Sequence, residues 1–228
     1  MKVAPMKIAV VGAGAIGGYF GGLLARAGHD VTLIARGAHR DAIRSRGLTV
    51  NSAKDSFTVQ PACTENPAEA GPQDAVILSL KAPAVPGMAE KMLPLFGPDT
   101  PLITAMNGVP YWYFYKHGGA LEGRTLESID PGARQWDVLR PERAIGCIVY
   151  PATEVVAPGV IQHVYGDKFP IGEPSGEVTP RVERLSALME AANLRAPVLK
   201  NIRDEMWLSC GAISASTRSA PSPMPPST

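Results

Sequence analysis

The hexapeptide GAGAIG at residues 12–17 is the feature that most limits the fold of this chain. Its glycines have the spacing G-x-G-x-x-G, and they lie between the apolar run KIAVV and a helix-like run that begins AIGGYF. In that context the first glycine permits a tight turn, the second lets a pyrophosphate approach the backbone, and the third lets helix and strand pack closely. The motif therefore predicts a dinucleotide site, against the alternative of a glycine-rich turn without a ligand. The predicted loop residues are Gly12, Ala13, Gly14, Ala15, Ile16 and Gly17.

The rest of the chain alternates short apolar runs with helical patterns. VTLIAR, DAVILSLKA and PLITAMNG have the composition of buried strands, and VPGMAEKMLPLF has helical spacing. Further along, turns at Pro158-Gly159 and Gly166-Asp167 separate predicted strands, and Thr179 with Pro180 predicts the start of a helix. This alternation favours an α/β fold with a Rossmann-type, doubly wound parallel sheet.

Composition excludes several classes of function. A net charge of +1 gives no general electrostatic reason to expect nucleic acid or an acidic membrane as a partner. No uninterrupted apolar run reaches membrane-spanning length. Cys63, Cys147 and Cys210 form no C-x-x-C pair, and no histidine cluster accompanies them, so neither a disulfide framework nor a metal site is expected. Free thiols fit a reducing cytosol, and a cytoplasmic location is predicted.

The end of the second predicted strand indicates the cofactor. NAD-binding folds usually place an acid about 20 residues after the glycine motif, where it bonds the ribose 2′-hydroxyl. Here that strand ends in Ala35 and Arg36. A guanidinium suits a 2′-phosphate, which an acid would repel. Arg36 therefore predicts NADP(H), with Arg40 as a second candidate, and the alternative is that Arg36 is a solvated loop cation.

With KIAVVGAGAIGGYFGGLLARAGHDVTLIARG, ILSLKA and AMNGV in that order, the chain resembles the ketopantoate reductases (2-dehydropantoate 2-reductases) over roughly residues 6–207. The resemblance implies an N-terminal Rossmann domain that binds NADPH and a C-terminal all-helical domain that closes the cleft. It implies reduction of the 2-keto group of ketopantoate to pantoate in pantothenate biosynthesis, and homodimers among full-length relatives. A small 2-keto acid is then the expected partner.

The resemblance also implies roles for individual residues. In such enzymes the lysine of the LK strand end and the asparagine of the NG motif lie beside nicotinamide and substrate. The resemblance therefore implies that Lys81 and Asn107 are both catalytic and cofactor-binding residues. The alternatives are a surface lysine and a turn-forming Asn-Gly. The family's general acid is a lysine in a pattern near W-x-K-L-x-x-N, and here Ser209 occupies its place. The chain as written is therefore expected to bind NADPH but to be catalytically impaired.

After Trp207 the regular apolar patterning stops and the sequence becomes rich in Ser, Pro and Ala. We predict an NADP-binding domain at 1–200, with a long loop or lid at 111–137, and a remnant of an interdomain helix at 201–228. Residues 209–212 can be encoded AGC TGT GGG GCA, and one added A gives AAG CTG TGG GGC A, which encodes Lys-Leu-Trp-Gly. With allowed codons the restored frame spells KLWGNLSFNPISALTDATFD. The tail is therefore interpreted as frame-shifted, against the alternative of a genuine Ser/Pro-rich disordered terminus.

Other features leave alternatives open. The aromatic run at 111–115 is either a substrate-cleft lid or a loop anchored to the core. The histidines are scattered, and each is predicted to be structural or exposed. The competing functions are a reductase of another 2-keto acid or ketone on the same scaffold, and a non-catalytic NADP-binding module. The histidines are His29, His39, His117 and His163.

Overall fold

The computed structural model describes residues 4–217, with side chains described as far as Ser209. The strands are β1 (Lys7–Val11), β2 (Asp30–Ile34), β3 (Leu48–Asn51), β4 (Ser56–Val59), β5 (Ala62–Thr64), β6 (Ala75–Leu78), β7 (Leu102–Ala105), β8 (Ala144–Cys147), β9 (Ala152–Ala157), β10 (Val160–Tyr165) and β11 (Ile171–Gly172). The helices are α1 (Ala15–Arg26), α2 (Gly37–Arg46), α3 (Arg134–Leu139), α4 (Pro180–Ala191) and α5 (Ile202–Thr217). Helix α4 begins as predicted, because the Thr179 side chain accepts a hydrogen bond from the Val182 amide at 3.3 Å.

Seven strands form the main sheet in the order β5-β2-β1-β6-β7-β8-β11. All neighbours are parallel except β8 and β11, which are antiparallel. Strand β1 is central, and its Val10 lies in register with Leu33 of β2 and Ile77 of β6. The order reverses at β1, as it does in doubly wound dinucleotide-binding sheets. The α/β, Rossmann-type fold predicted from sequence is confirmed.

The main sheet is covered on both faces, which explains its almost wholly apolar central strands. On one face α1 and α4 pack against β1 and its neighbours. On the other face lie the connection after β6, Trp112, α3 and the first turns of α5, which contributes Ile202 and Met206. The carboxyl ends of the parallel strands remain at one open edge.

A second, four-stranded sheet in the order β4-β3-β10-β9 was not predicted. It packs on the outer side of α1, so that α1 lies between two sheets. A Cβ atom placed on Gly18 would meet Ile161 of β10 at 2.8 Å, and one on Gly22 would meet Val50 of β3 at 2.8 Å. On the other side of α1, a Cβ on Gly21 would meet Leu33 of the main sheet at 2.6 Å. Glycine is therefore required on both sides of this helix.

The prediction of a helix in VPGMAEKMLPLF was wrong. The structure has turns followed by a short 3₁₀ segment, Glu90–Leu95, which contains Pro94. Pro94 lacks the amide hydrogen that a regular α-helix would use at its position, and the short connection keeps its apolar side chains buried without such a helix. Its buried residues Met92 and Leu95 explain why the apolar spacing looked helical.

The aromatic run after β7 is anchored at its start. Tyr111 and Trp112 are buried, whereas residues 117–128 are exposed, and α3 begins inside the segment that was predicted to be a loop. The indole of Trp112 donates a hydrogen bond to the Thr104 hydroxyl at 3.0 Å, and its ring packs on Gly146 of β8. The anchored-loop interpretation therefore holds for the first two aromatic residues.

We expect Trp112→Ala to lower the free energy of unfolding by about 3–5 kcal/mol, because a fully buried indole is removed and a cavity remains. Urea unfolding followed by circular dichroism measures this. Trp207→Ala is the matched control, since Trp207 is 58% exposed and its loss should cost less than about 1 kcal/mol. Equal effects of the two substitutions would contradict the anchoring role of Trp112.

Candidate active site

The glycine loop connects β1 to α1 at the open edge of the main sheet. Gly12 has φ +97°, a conformation that favours glycine. The amides of Gly12 and Ala13 both donate to the carbonyl of Ile34, at 3.1 and 3.2 Å, which holds the loop over the end of β2. Gly14 is the N-cap of α1, and no side chain caps the helix. The first-turn amides, which a helix cannot satisfy internally, are therefore available to an anion.

The three glycines of the motif have different surroundings. A Cβ on Gly17 would lie 2.2 Å from the Gly12 carbonyl oxygen and 2.3 Å from the Ser79 hydroxyl. That hydroxyl donates to the Gly12 carbonyl at 2.8 Å, which ties the loop to the end of β6. A Cβ on Gly14 would meet nothing within 4 Å. Gly17 is therefore needed for packing, and Gly14 leaves open space where a ligand can approach.

A cavity of about 570 Å³ lies beside this loop. Its walls come from the loop, the end of β2, the connection after β6, and β9 of the second sheet. Its size falls within the range of small-molecule and cofactor sites. The lining residues that carry polar or charged groups are Arg36, His39, Glu65 and Lys91.

The two candidate arginines differ in their partners. Arg40 is held by Glu65 at 2.6 Å and by Asp41 at 2.7 Å. Arg36 is the N-cap of α2 and lines the cavity, and none of the carboxylates within residues 4–209 forms an ion pair with it. Of the two candidate arginines, Arg36 is therefore the one that is available to a ligand phosphate.

Lys81 and Asn107 lie at the same sheet edge, after β6 and β7, but neither lines the cavity. Lys81 is exposed and precedes the 3₁₀ turn Ala82–Ala84. The Asn107 amide nitrogen donates to the Val149 carbonyl at 2.9 Å, and its oxygen accepts from the Val149 amide at 3.0 Å. The asparagine thus joins the chain after β7 to the chain after β8, in addition to any role toward a ligand.

Helix α5 packs its first turns against this edge. Arg203 donates to the carbonyls of Tyr113, Tyr115 and Pro174 at 2.6–2.8 Å. Glu205 accepts from the Tyr150 hydroxyl at 2.7 Å, and this bond is the main cause of its lowered pKa. Ser209 is buried, and its hydroxyl donates to the Met206 carbonyl at 2.8 Å. The predicted frame-shifted tail lies partly outside the described residues.

The sequence did not single out His39 as a site residue. The structure places it on the cavity wall, in the first turn of α2, where its Nδ1 atom accepts a hydrogen bond from the Gly159 amide at 3.1 Å. Gly159 lies in the β9–β10 turn, and its distance from His39 along the chain gave no signal of this contact.

Two negative findings apply to the described part of the chain. Within residues 4–217, no helix is both long and apolar enough to cross a membrane. Among the described side chains, no group of three or more His, Cys, Asp or Glu residues could hold a metal ion.

Comparison with known families explains this arrangement. The family model described as "Ketopantoate reductase PanE/ApbA" matches residues 8–176, which include the glycine loop, the cavity and the edge residues. The chain belongs to the ketopantoate reductase family of oxidoreductases. It is 45% identical, over 221 residues, to a 2-dehydropantoate 2-reductase of Mesorhizobium japonicum, and the match covers 94% of this chain and 68% of that protein.

More distant members of the ketopantoate reductase family also match most of this chain. A 2-dehydropantoate 2-reductase of Pyrococcus abyssi is 31% identical over 205 residues, which cover 89% of this chain and 59% of that protein. The solved structure of a Ralstonia solanacearum protein described as a ketopantoate reductase superposes with a TM-score of 0.87 at 35% identity, covering 95% of this chain and 69% of that one. The chain thus spans about 60–70% of the length of these relatives.

The glycine geometry predicts opposite outcomes for two substitutions. Gly17→Ala should lower the free energy of unfolding by about 1–3 kcal/mol, because the new Cβ collides with backbone. Gly14→Ser should leave it within about 0.5 kcal/mol of the original value, because the space is open and serine suits an N-cap. Thermal and urea unfolding of both variants measures the difference, and destabilisation by Gly14→Ser alone would contradict it.

Proposed function

We propose that this chain binds NADPH at the glycine loop and that the reaction of its site is the reduction of a 2-keto acid, 2-dehydropantoate to pantoate. The observation that carries the cofactor assignment is Arg36, an arginine without an ion-pair partner among residues 4–209, on the wall of the cavity beside the open face of Gly14. The substrate assignment rests on family membership. Because the chain spans only part of its relatives' length, the activity of the whole enzyme is part of the proposal.

The residues present fit such a cofactor. The open space at Gly14 admits a diphosphate, and the first-turn amides of α1 donate to it. The Arg36 guanidinium can make charge-assisted hydrogen bonds to a 2′-phosphate. Bound NADPH would supply the hydride. Lys81 and Asn107 are proposed to orient nicotinamide and substrate, since both follow strands that end at the same edge.

The acid for this reaction is the part that the chain lacks as written. Hydride addition to a keto group leaves negative charge on its oxygen, which a cationic acid stabilises and protonates. The family resemblance assigns that role to the position of Ser209. A neutral serine hydroxyl that donates to the Met206 carbonyl cannot supply the positive charge. We therefore propose that binding is retained and that turnover is impaired.

Replacement of Arg36 tests the cofactor. We expect Arg36→Asp to weaken NADPH binding by roughly 10- to 100-fold, because a charge-assisted hydrogen bond to the 2′-phosphate is lost and a repulsive charge is added. NADH binding should weaken far less. Calorimetric titration of both nucleotides measures this, with Arg26→Asp as the control, since Arg26 pairs with Asp55 outside the cavity. An unchanged preference for NADPH would refute the role of Arg36.

Restoration of the alternative reading frame tests the acid. The chain as written should bind NADPH but reduce ketopantoate at least about 10²–10⁴-fold more slowly than a chain whose gene carries one added base before codon 209, because only the latter has the lysine. NADPH oxidation at 340 nm measures this with ketopantoate and a panel of other 2-keto acids. Rapid turnover by the chain as written would refute the proposed impairment, and faster reduction of another keto acid would change the substrate assignment.

A further inference from the structure

Val155 brings the second sheet to the wall of the cofactor cavity. Among the described residues that line the cavity, Val155 of β9 is the one that belongs to this sheet. The other walls come from the glycine loop, the end of β2, the start of α2 and the connections after β5 and β6. A sheet that packs on the outer side of α1 therefore also reaches the place where the cofactor is proposed to bind.

Strand β9 is held at this position by contacts of its hairpin partner and of the turn between them. Val155 pairs with Ile161 of β10, and Ile161 packs so closely on α1 that a Cβ placed on Gly18 would lie 2.8 Å from its side chain. In the β9–β10 turn, the Gly159 carbonyl accepts a hydrogen bond from the Thr49 amide of β3 at 2.9 Å. The wall is therefore preorganised, so a ligand contact with it costs little conformational entropy.

The side chain of Val155 is left uncovered at the cavity. It is 44% exposed, whereas its cross-strand partner Ile161 is buried. The register shifts directly after this pair, because the next pair is Ala157 with Val160 and leaves Val156 as an extra residue in β9. Bulges of this kind often re-aim a side chain beside a functional site. A fixed apolar side chain on a cavity wall indicates a ligand that has an apolar surface.

The other lining residues indicate which part of the dinucleotide has that surface. Arg36, proposed to bind the 2′-phosphate, lines the cavity, whereas Lys81 and Asn107, proposed to orient nicotinamide, do not. In the proposed complex the cavity therefore takes the adenosine half. Adenine and ribose carbons supply its apolar surface, and Leu80 and Met88 from the connection after β6 are further apolar side chains of the same cavity.

We propose that Val155 is a cofactor-binding residue whose methyl groups pack on the adenosine half of the dinucleotide, so that the second sheet forms part of the cofactor site. This inference rests on the proposed function. The contact is apolar and involves a part of the cofactor that NADPH and NADH share. Val155 therefore contributes affinity for both, and the choice between them remains with Arg36.

The neighbouring residue, Val156, supplies a matched control. It is 51% exposed and does not line the cavity. Alanine at either position removes the same two methyl groups. Glutamate at either position adds the same charge, and the two Cα atoms are about 3.8 Å apart, so long-range electrostatic effects on the ligand are nearly equal. A difference between the two positions therefore reports contact with the cavity.

We expect Val155→Ala to weaken NADPH binding roughly three- to fivefold, because an apolar contact is lost. Val155→Glu should weaken it more than about tenfold, because a carboxylate is added to a cavity that takes phosphate. Val156→Ala and Val156→Glu should remain within about twofold of the original chain. Calorimetric titration measures the affinities, and urea unfolding shows that the variants are folded. Equal affinities of the variants at the two positions would overturn the proposal.

A fragment of the cofactor locates the contact. Val155→Ala should weaken the binding of adenosine 2′,5′-bisphosphate by the same factor as that of NADPH, because the fragment contains the whole proposed contact. A loss for NADPH that this fragment does not reproduce would place the contact elsewhere on the dinucleotide. That result would overturn the proposal while leaving the proposed function intact.

A measurement on the unaltered chain covers the case in which a variant fails to fold. In ¹H–¹³C spectra, the methyl signals of Val155 should shift when NADPH or adenosine 2′,5′-bisphosphate is added, while those of Val156 stay in place. Unchanged Val155 signals in a saturated complex would overturn the proposal. If the unaltered chain fails to bind NADPH at all, both the function and this role fail together.

Discussion

The position of α1 depends on contacts that permit no side chain. At its start, the Gly17 Cα lies so close to the Gly12 carbonyl and the Ser79 hydroxyl that a Cβ would approach both within 2.3 Å. Further along, Gly18 and Gly22 bring the second sheet onto the helix from the opposite side. Because the helix is fixed between two sheets, its N-terminus and the open space at Gly14 are fixed as well. The position of the proposed anion site therefore follows from how closely the backbone packs.

The locally encoded parts of the molecule were predictable. The loop, β1, α1 and the cap of α4 follow from neighbouring residues, and the doubly wound parallel sheet follows from the alternation of strand and helix patterns. The second sheet was missed because β3 pairs with β10, more than 100 residues away, and such pairings leave no local signal. The glycines of α1 nevertheless indicated that a second surface packs on this helix. Gly18 and Gly22 repeat the four-residue spacing of Gly17 and Gly21, which a helix packed on only one side would not need.

In the candidate site, too, the sequence predicted the residues that have a local signal and missed those that tertiary structure positions. Arg36 was predicted from its place at the end of β2, and its lack of an ion-pair partner among residues 4–209 distinguishes it from Arg40, which two carboxylates hold. The sequence could not distinguish the two, because Glu65 arrives from β5 through tertiary structure. His39 was interpreted as structural or exposed for a similar reason. Its bond to Gly159 exists only because the second sheet covers α2.

The residues proposed to bind the cofactor and the position proposed for the general acid lie in different parts of the chain. The groups proposed to bind the dinucleotide come from the first 91 residues, with one wall from β9, and they are held by backbone contacts that do not involve α5. The position that the family resemblance assigns to the general acid lies on α5, whose first turns are fixed to the rest of the structure by Arg203 and Glu205 rather than by the glycine loop. In the proposed function, a serine in place of a lysine at position 209 would therefore leave the cavity unchanged. A chain of this design can keep its cofactor affinity after it has lost its chemistry, so cofactor binding alone would not show that such a protein is an active reductase.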